Sequence, residues 1–292
     1  MLTNLKPLLG FFYLLTVVCF GQSEIRRAEI LLNEGEINEA EKIFLKYENH
    51  KSAIEYLGDI ASFRKNWDQA INHYQNLVKQ EPDNAMNNFK LGGAMGMKAY
   101  YGSKFQAALL IGDIKDYLKK AAEIDPNHAE ARRALVELYM QIPGFLGGSQ
   151  TIAESYASDL KNINRIDALL ADAYIYKIND YKELAKMKYE EALRLAIEKP
   201  DLITRNYLRY ELGEVSANYE IHMEQGKKFL LQYIKSYGYK DIKTPAWAYL
   251  RLAQIERQLN NKEIALKHIT KSLQIDPGFD KALIEKQKIQ RL

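Results

Sequence analysis

The side chains that could carry catalysis or bind a metal are scattered along this chain and form no recognisable motif. The five histidines lie far apart, at His50, His73, His128, His222 and His268. None belongs to a paired metal-ligand pattern such as H-E-x-x-H, and the sequence has neither a nucleophile elbow nor a dinucleotide fingerprint. The sequence therefore predicts a protein that is not an enzyme and that carries no cofactor and no metal site.

One short segment has the composition of a ligand-binding loop. Pro143–Ser149 reads PGFLGGS, and glycines allow a backbone to approach a ligand closely. A Gly-Gly-Ser run before a helix can also bind an anion through free amide groups, although this one lacks the lysine of a phosphate loop. We take Gly144, Gly147, Gly148 and Ser149 as a candidate ligand loop. The alternative is a wide turn that needs glycine geometry.

The elements that position these residues are pairs of amphipathic helices. In Ser52–Asn84, the residues Ile54, Leu57 and Ala61 recur at helical spacing, and a second apolar stripe follows a short polar break. Pro82 ends the second helix because proline cannot donate a backbone hydrogen bond. The pattern predicts two helices joined by a tight turn, and the rest of the chain repeats it with variations.

This stretch resembles the tetratricopeptide repeat, a helix–turn–helix unit of about 34 residues. The residues that carry the resemblance are Leu57, Gly58, Ala70, Tyr74 and Pro82. Ile54 stands where the family usually has a tryptophan, and a second Leu-Gly pair, Leu91-Gly92, follows one repeat length later. The resemblance extends along most of the chain as about seven units with a C-terminal capping helix.

The resemblance implies an all-α fold, a right-handed superhelical solenoid of helical hairpins that forms a single domain over residues 22–292. The third unit departs from the pattern because it contains an insertion, Lys98–Ile111. We expect an extended first helix there, then a turn at Tyr101–Ser103, and then a short extra helix before the second helix of the unit.

The resemblance also implies where a partner binds, because in this family the first helices of successive units line a concave groove. The groove positions of this sequence are rich in aromatic residues, which are typical anchors in protein interfaces. The predicted groove residues are Met86, Phe89, Tyr174, Tyr207, Tyr210 and Trp247. We expect them to grip an extended or helical segment of another protein. The alternative is that several of them pack against neighbouring helices.

A second function remains open at this point. The glycine loop is similar to loops in bacterial periplasmic repeat proteins, including the helical accessory component of some transport systems. That similarity implies a periplasmic accessory protein that binds a small hydrophobic or anionic solute. The formal net charge of +3 gives no reason to expect nucleic-acid binding. Peripheral association with a membrane is a further alternative.

Residues 1–21 have the pattern of a secretory signal peptide. Lys6 precedes an apolar run from Leu8 to Phe20, which is too short to span a bilayer comfortably. Cleavage ahead of Gln22 would remove Cys19, the only cysteine, and leave a chain without thiols. We expect an exported bacterial protein of the periplasm. The alternatives are a membrane anchor, a buried first helix, or an outer-membrane lipoprotein attached through Cys19.

Overall fold

The computed structural model describes residues 21–292, and every regular element within this range is helical. The predicted all-α class of helical-hairpin repeats is confirmed. Residues 1–20, which hold most of the predicted leader and Cys19, lie outside the described residues. The helices are α1 (21–33), α2 (Ile37–Lys46), α3 (Lys51–Phe63), α4 (Trp67–Gln80), α5 (Ala85–Tyr101), α6 (Lys104–Ile124), α7 (Ala129–Gln141), α8 (Gln150–Asp159), α9 (Arg165–Ile178), α10 (Lys182–Glu198), α11 (Asn206–Tyr219), α12 (Met223–Lys235), α13 (Pro245–Gln258), α14 (Lys262–Ile275) and α15 (Asp280–Gln290).

Each odd-numbered helix up to α13 is the first helix of a pair, and the following even-numbered helix is the second. The turn within the second pair shows how the sequence sets a helix boundary. Lys65 adopts a left-handed conformation with φ of 60°, and Asn66 then accepts a hydrogen bond from the backbone N–H of Gln69. That contact satisfies a free amide at the start of α4.

The described part of the chain forms two compact units. Unit 1 runs through Ile114 and includes Gly238–Lys240, whereas unit 2 comprises Lys115–Tyr237 and Asp241–Leu292. Each unit has its own apolar core. The buried core of unit 1 contains Ile25, Ala28, Leu32, Ala40, Phe44, Ala53, Leu57, Ile60 and Tyr239. A large cluster of unit 2 contains Ile166, Leu170, Ala173, Ala185, Tyr189, Leu193, Leu208 and Leu212.

Small residues lie where the two helices of a pair cross, as the repeat pattern predicts. A Cβ atom added to Gly58 on α3 would lie 2.5 Å from the ring of Tyr74 on α4. One added to Gly213 on α11 would lie 2.3 Å from Leu230 on α12. Ala185 at the start of α10 is also fully buried. Larger side chains at these positions would push the paired helices apart.

The structure of the insertion in the third unit differs from the prediction in one respect. The extension of α5 to Tyr101 and the turn after it are present, but the separate short helix is not. Its residues form the first half of α6, a single helix of 21 residues. Gly112 does not interrupt this helix, because a mid-helix glycine costs only about 1 kcal/mol relative to alanine and the buried Ile111 and Ile114 hold the segment in place.

Candidate partner-binding site

Buried ion pairs connect the first helices α7, α9 and α11 of unit 2. Arg133 on α7 donates to Asp167 on α9 at 3.1 Å and to Glu211 on α11 at 2.7 Å. Arg205, at the start of α11, donates to both carboxylate oxygens of Asp167 at 2.7 and 2.9 Å. The Asp167 side chain is 0% exposed, so its charge is balanced by two guanidinium groups and not by solvent.

These contacts set the electrostatics of the face. Burial alone would raise the pKa of Asp167, but Arg205 and Arg133 hold that pKa below its usual value. Burial would likewise lower the pKa of Arg133, and the carboxylates of Glu211 and Asp167 raise it. Both groups therefore stay charged at neutral pH, and their hydrogen bonds fix the spacing of three successive first helices.

Polar and aromatic groups stand above this network with part of their surface free. Glu137 lies one turn after Arg133, 3.5 Å from its guanidinium, and its side chain is 43% exposed. Burial nevertheless raises the pKa of Glu137, although the positive charge of Arg133 lowers it in part. Arg133 and Glu211 expose only 9% and 16% of their side chains, so Glu137 and these deeper groups together line a recess. We call this recess, lined by Arg133, Glu137, Gln141, Tyr174, Tyr207 and Glu211, the α7–α11 face.

Two of the predicted aromatic residues belong to the α7–α11 face. Tyr174 is half-buried, and its hydroxyl accepts a hydrogen bond from Gln141 at 2.8 Å. Burial raises the pKa of Tyr174 to about 12. Tyr207 is also half-buried, and burial, together with the carboxylates of Glu211 and Glu137, raises its pKa. Both hydroxyls therefore remain protonated and can act as hydrogen-bond donors.

The prediction for Tyr210 is wrong. Its side chain is 0% exposed and packs against Tyr233, with ring centroids 5.4 Å apart. Its hydroxyl donates to Glu214 at 3.0 Å. Tyr210 lies three residues after Tyr207 and so points about 60° away around the helix, which turns it from the recess into the core.

Trp247 on α13 packs mainly against other residues of its own chain. Its ring lies 4.6 Å from that of Phe279, and the ammonium groups of Lys243 and Lys281 stand 4.2 and 5.0 Å from its centroid. The tryptophan therefore packs against the start of the capping helix α15 and the segment before α13, which is the alternative that the sequence left open.

Met86 and Phe89 lie on α5, in unit 1. Met86 is 42% exposed and Phe89 is half-buried. Gly93, one turn further along α5, is equally open, since a Cβ atom added there would meet nothing within 4 Å. The nearest charged group on this helix is Lys90, which bridges to Glu55 at 2.6 Å and Asp59 at 2.8 Å on α3.

Two segments of the chain match family models, and both models are described as tetratricopeptide repeat. The matched residues are 52–84, which cover α3 and α4, and 248–279, which cover most of α13 and all of α14. These matches support the tetratricopeptide repeat family. A comparison with curated proteins found no match.

A solved structure agrees with the repeat architecture. A tetratricopeptide repeat protein from Parabacteroides merdae ATCC 43184 aligns with a TM-score of 0.51 at 13% identity, over 92% of this chain and 98% of that one. This likeness shows the fold alone. YrrB, described as a TPR protein with an unusual peptide-binding site, aligns at a TM-score of 0.37 and 16% identity, over 73% of this chain and 97% of that one. A score that low supports no argument about this chain.

The candidate ligand loop has a structural explanation as a turn between two helices of the repeat. Gly147 adopts φ of +87°, and a Cβ atom on Gly148 would lie 1.9 Å from the carbonyl oxygen of Ile142. Ser149 caps α8 by accepting from the N–H of Ile152 at 3.3 Å. The geometry therefore accounts for Gly147, Gly148 and Ser149 without a ligand.

The ion pairs between first helices were not predicted, although the sequence contains a signal for them. The paired charges are separated by about one repeat: 34 residues for Arg133 and Asp167, and 35 for Lys90 and Glu55. In a tetratricopeptide repeat array, residues one repeat apart occupy equivalent places on adjacent first helices. Searching for opposite charges at that spacing would have found these two pairs, whereas Arg133 and Glu211 are 78 residues apart.

Two searches of residues 21–292 bear on other kinds of site. They contain no group of three or more His, Cys, Asp or Glu side chains arranged to hold a metal ion. Within the same residues, no helix has the length and apolar character needed to cross a membrane.

Proposed function

We propose that this protein is a non-catalytic interaction module that binds a peptide segment of another protein on the α7–α11 face. One observation carries the proposal. Buried ion pairs hold three first helices in fixed register, while Glu137, Gln141, Tyr174 and Tyr207 keep accessible groups in the recess above them. The tetratricopeptide repeat matches support a role in protein interaction as well.

The chemistry of the recess suits a peptide. Tyr174 and Tyr207 supply two broad rings with few rotatable bonds, and their protonated hydroxyls can donate to backbone carbonyl groups. Glu137 and Gln141 add an acceptor and an amide beside them. Because the network already fixes the helices, little conformational entropy is lost on binding, and more of the interaction energy appears as affinity.

Selection from a displayed library of random peptides provides a ligand for the test. We expect the protein to enrich peptides that bind with measurable affinity by calorimetry. Combined replacement of Tyr174→Ala and Tyr207→Ala should weaken that binding by about 2 kcal/mol or more, as for interface anchor residues. Tyr181→Ala is the matched control, because Tyr181 is 56% exposed but lies in the turn before α10 and on none of the helices α7, α9 and α11.

Two results would refute the proposal. One is a library that yields no binding peptide, and the other is a peptide whose affinity is unchanged by the Tyr174 and Tyr207 replacements. A peptide affected by Tyr181→Ala instead would locate the site elsewhere. The small-solute alternative started from the glycine loop, whose geometry now has a structural reason, and no contact in residues 21–292 argues for it separately.

We further propose that the module works in the periplasm after export. The support is the apolar leader in residues 1–21, which is followed by a chain free of cysteine. Mass spectrometry of the protein from its own host should find a mature N-terminus at Gln22 and the protein in the periplasmic fraction. An intact Met1 in the cytosolic fraction would contradict export, and a lipid on Cys19 would favour the lipoprotein alternative.

A further inference from the structure

An unpartnered apolar face runs along the end of α5 and the first half of α6, in unit 1. Its large side chains are unusually accessible for a folded protein: Tyr100 is 71% exposed, Phe105 74% and Leu109 68%. The opposite side of α6 carries Ile111 and Ile114, which are buried in the protein. The first half of α6 therefore has two apolar sides. One is buried in the protein, and the other is exposed to solvent.

The outward side is ordered by its own contacts. Tyr101 stacks on Trp67 of α4 with ring centroids 6.2 Å apart and planes within 7° of parallel. Tyr100 meets Tyr101 edge to face at 5.1 Å. Rings held in this way form a rigid surface, and a rigid surface loses little entropy when a partner covers it. We call the surface formed by Trp67, Tyr100, Tyr101, Phe105, Ala108, Leu109 and Gly112 the α6 outer face.

Gly112 is the most informative residue of the α6 outer face. It lies in the middle of a 21-residue helix, where glycine is less favourable than alanine. Its own chain gives no reason for it, because an added Cβ atom would meet nothing within 4 Å. Glycine at such a place leaves room for another backbone or side chain to approach from outside the molecule.

We propose that the α6 outer face is a self-association surface, covered by the α6 outer face of a second copy of this chain. Large and small residues alternate along it, in the order Phe105, Ala108, Leu109 and Gly112. When two copies of α6 cross in opposite directions near Ala108, the large side chains of one copy meet the small ones of the other. A two-fold interface requires this kind of self-complementarity.

The charges around the face agree with a second copy better than with a lipid surface. The exposed charged residues on or beside this stretch of α6 are Lys104, Asp113 and Asp116, one basic and two acidic. Nearby, Lys98 is paired with Asp68. A docking surface for anionic lipid carries an excess of lysine and arginine, which this face lacks. A near-neutral face lets two identical copies approach without repulsion.

The available area fits a dimer of moderate strength. An aromatic side chain buries about 150–250 Å² when fully covered, so the exposed parts of Tyr100, Tyr101, Phe105 and Leu109 amount to roughly 500 Å² per copy. Two copies would then hide about 1,000 Å², which is near the lower limit of specific interfaces. We therefore expect a dissociation constant in the micromolar range.

Sedimentation velocity of the full-length mature chain, from about 1 to 200 µM, tests the proposal, because this range brackets a micromolar dissociation constant. The wild type should shift from monomer to dimer. Leu109→Glu should raise the dissociation constant at least about tenfold, because pairing would bury an unpaired carboxylate. Leu231→Glu is the matched control, since Leu231 is 51% exposed on α12 in unit 2. That variant should dimerise like the wild type.

Gly112→Ala separates folding from association. The added methyl group favours the helix and meets no atom of its own chain, so the melting temperature should stay the same or rise. The same methyl group lies in the proposed contact, so dimerisation should weaken by about threefold or more. A merely structural role of Gly112 would change stability and association together, or neither of them.

Three outcomes would overturn the proposal. The wild type could remain monomeric over the whole concentration range, or it could form a dimer that neither Leu109→Glu nor Gly112→Ala weakens. The third is a monomer that sediments with vesicles of neutral and anionic phospholipid and loses that ability in Leu109→Glu. That result would assign the α6 outer face to a membrane. None of these outcomes bears on peptide binding in unit 2, because Leu109 and Gly112 belong to unit 1.

Discussion

The two units hold their first helices together by different means. In unit 2, Arg133, Asp167, Arg205 and Glu211 form a buried network that spans three helices. In unit 1, among the described contacts between first helices, one cation, Lys90 of α5, is shared by two carboxylates of α3, Glu55 and Asp59.

The two units also differ in the chemical groups that they expose on their first helices. The α7–α11 face of unit 2 presents hydroxyl, amide and carboxylate groups, whereas α5 in unit 1 presents Met86 and Gly93. A buried ionic network has strict geometry, so it suits a recess with fixed hydrogen-bonding groups. Methionine adapts its shape, so the α5 surface suits apolar contacts of less defined geometry.

The largest expected effect comes from breaking the network of unit 2. Asp167→Ala leaves the guanidinium groups of Arg133 and Arg205 buried without their shared carboxylate, and it should lower the free energy of unfolding by about 3–5 kcal/mol. Urea unfolding followed by circular dichroism measures this. Glu190→Ala is the control, because Glu190 is 52% exposed on α10 of the same unit and should change stability by less than about 0.5 kcal/mol. Equal effects of the two changes would show that the network does not hold the first helices together.

The corresponding substitution in unit 1, Lys90→Met, should lower the free energy of unfolding by less. Lys90→Met removes the cation that faces Glu55 and Asp59, but Asp59 still accepts a hydrogen bond from the hydroxyl of Tyr74 at 2.7 Å. We expect a loss of about 1–3 kcal/mol, as for one buried polar group left partly unsatisfied. The same urea experiment applies. A loss larger than that of Asp167→Ala would reverse the comparison between the units.

Acid should weaken the network of unit 2 in a defined direction. The pKa of Asp167 is lower in the folded protein than in the unfolded chain, so its contribution is present above the unfolded value and is lost as pH falls through the folded value. The stability difference between wild type and Asp167→Asn should therefore be largest near pH 7 and shrink below about pH 4. A difference that grows on acidification would contradict the assignment.

The smallest expected effect is a gain of stability in unit 1. Gly93→Ala should raise the free energy of unfolding by about 0.5–1 kcal/mol, because the position is helical and an added Cβ atom meets nothing within 4 Å. Gly58→Ala is the contrasting control on the neighbouring first helix, where the ring of Tyr74 stands 2.5 Å from the added atom. It should destabilise the protein. Equal signs for the two changes would show that the α5 surface is not open.

The fold could be predicted from the sequence because its determinants are local and recur. Small residues such as Gly58, Ala70 and Ala185 mark the crossing points, and Pro82 marks a helix end. The prediction of a separate helix in the third unit was wrong, because the apolar pattern continues through Gly112 and favours one long helix.

The site was harder to predict, because it depends on rotation around each helix and on pairs of distant residues. Tyr207 and Tyr210 look equivalent in the sequence, yet a difference of about 60° around α11 places one in the recess and the other in the core. Arg133 and Asp167 show nothing unusual when each is examined alone. Their importance appears only when residues 34 positions apart are compared.

Hydrogen–deuterium exchange with a library-selected peptide tests the central claim most directly, because it reports where the peptide binds along the chain. We predict that the peptide slows exchange in α7, α9 and α11, and that Tyr174→Ala combined with Tyr207→Ala removes this protection. The α4 and α14 helices, which are second helices of their pairs, serve as internal references and should be unchanged. Protection confined to second helices, or no protection in α7, α9 and α11, would contradict binding on the α7–α11 face.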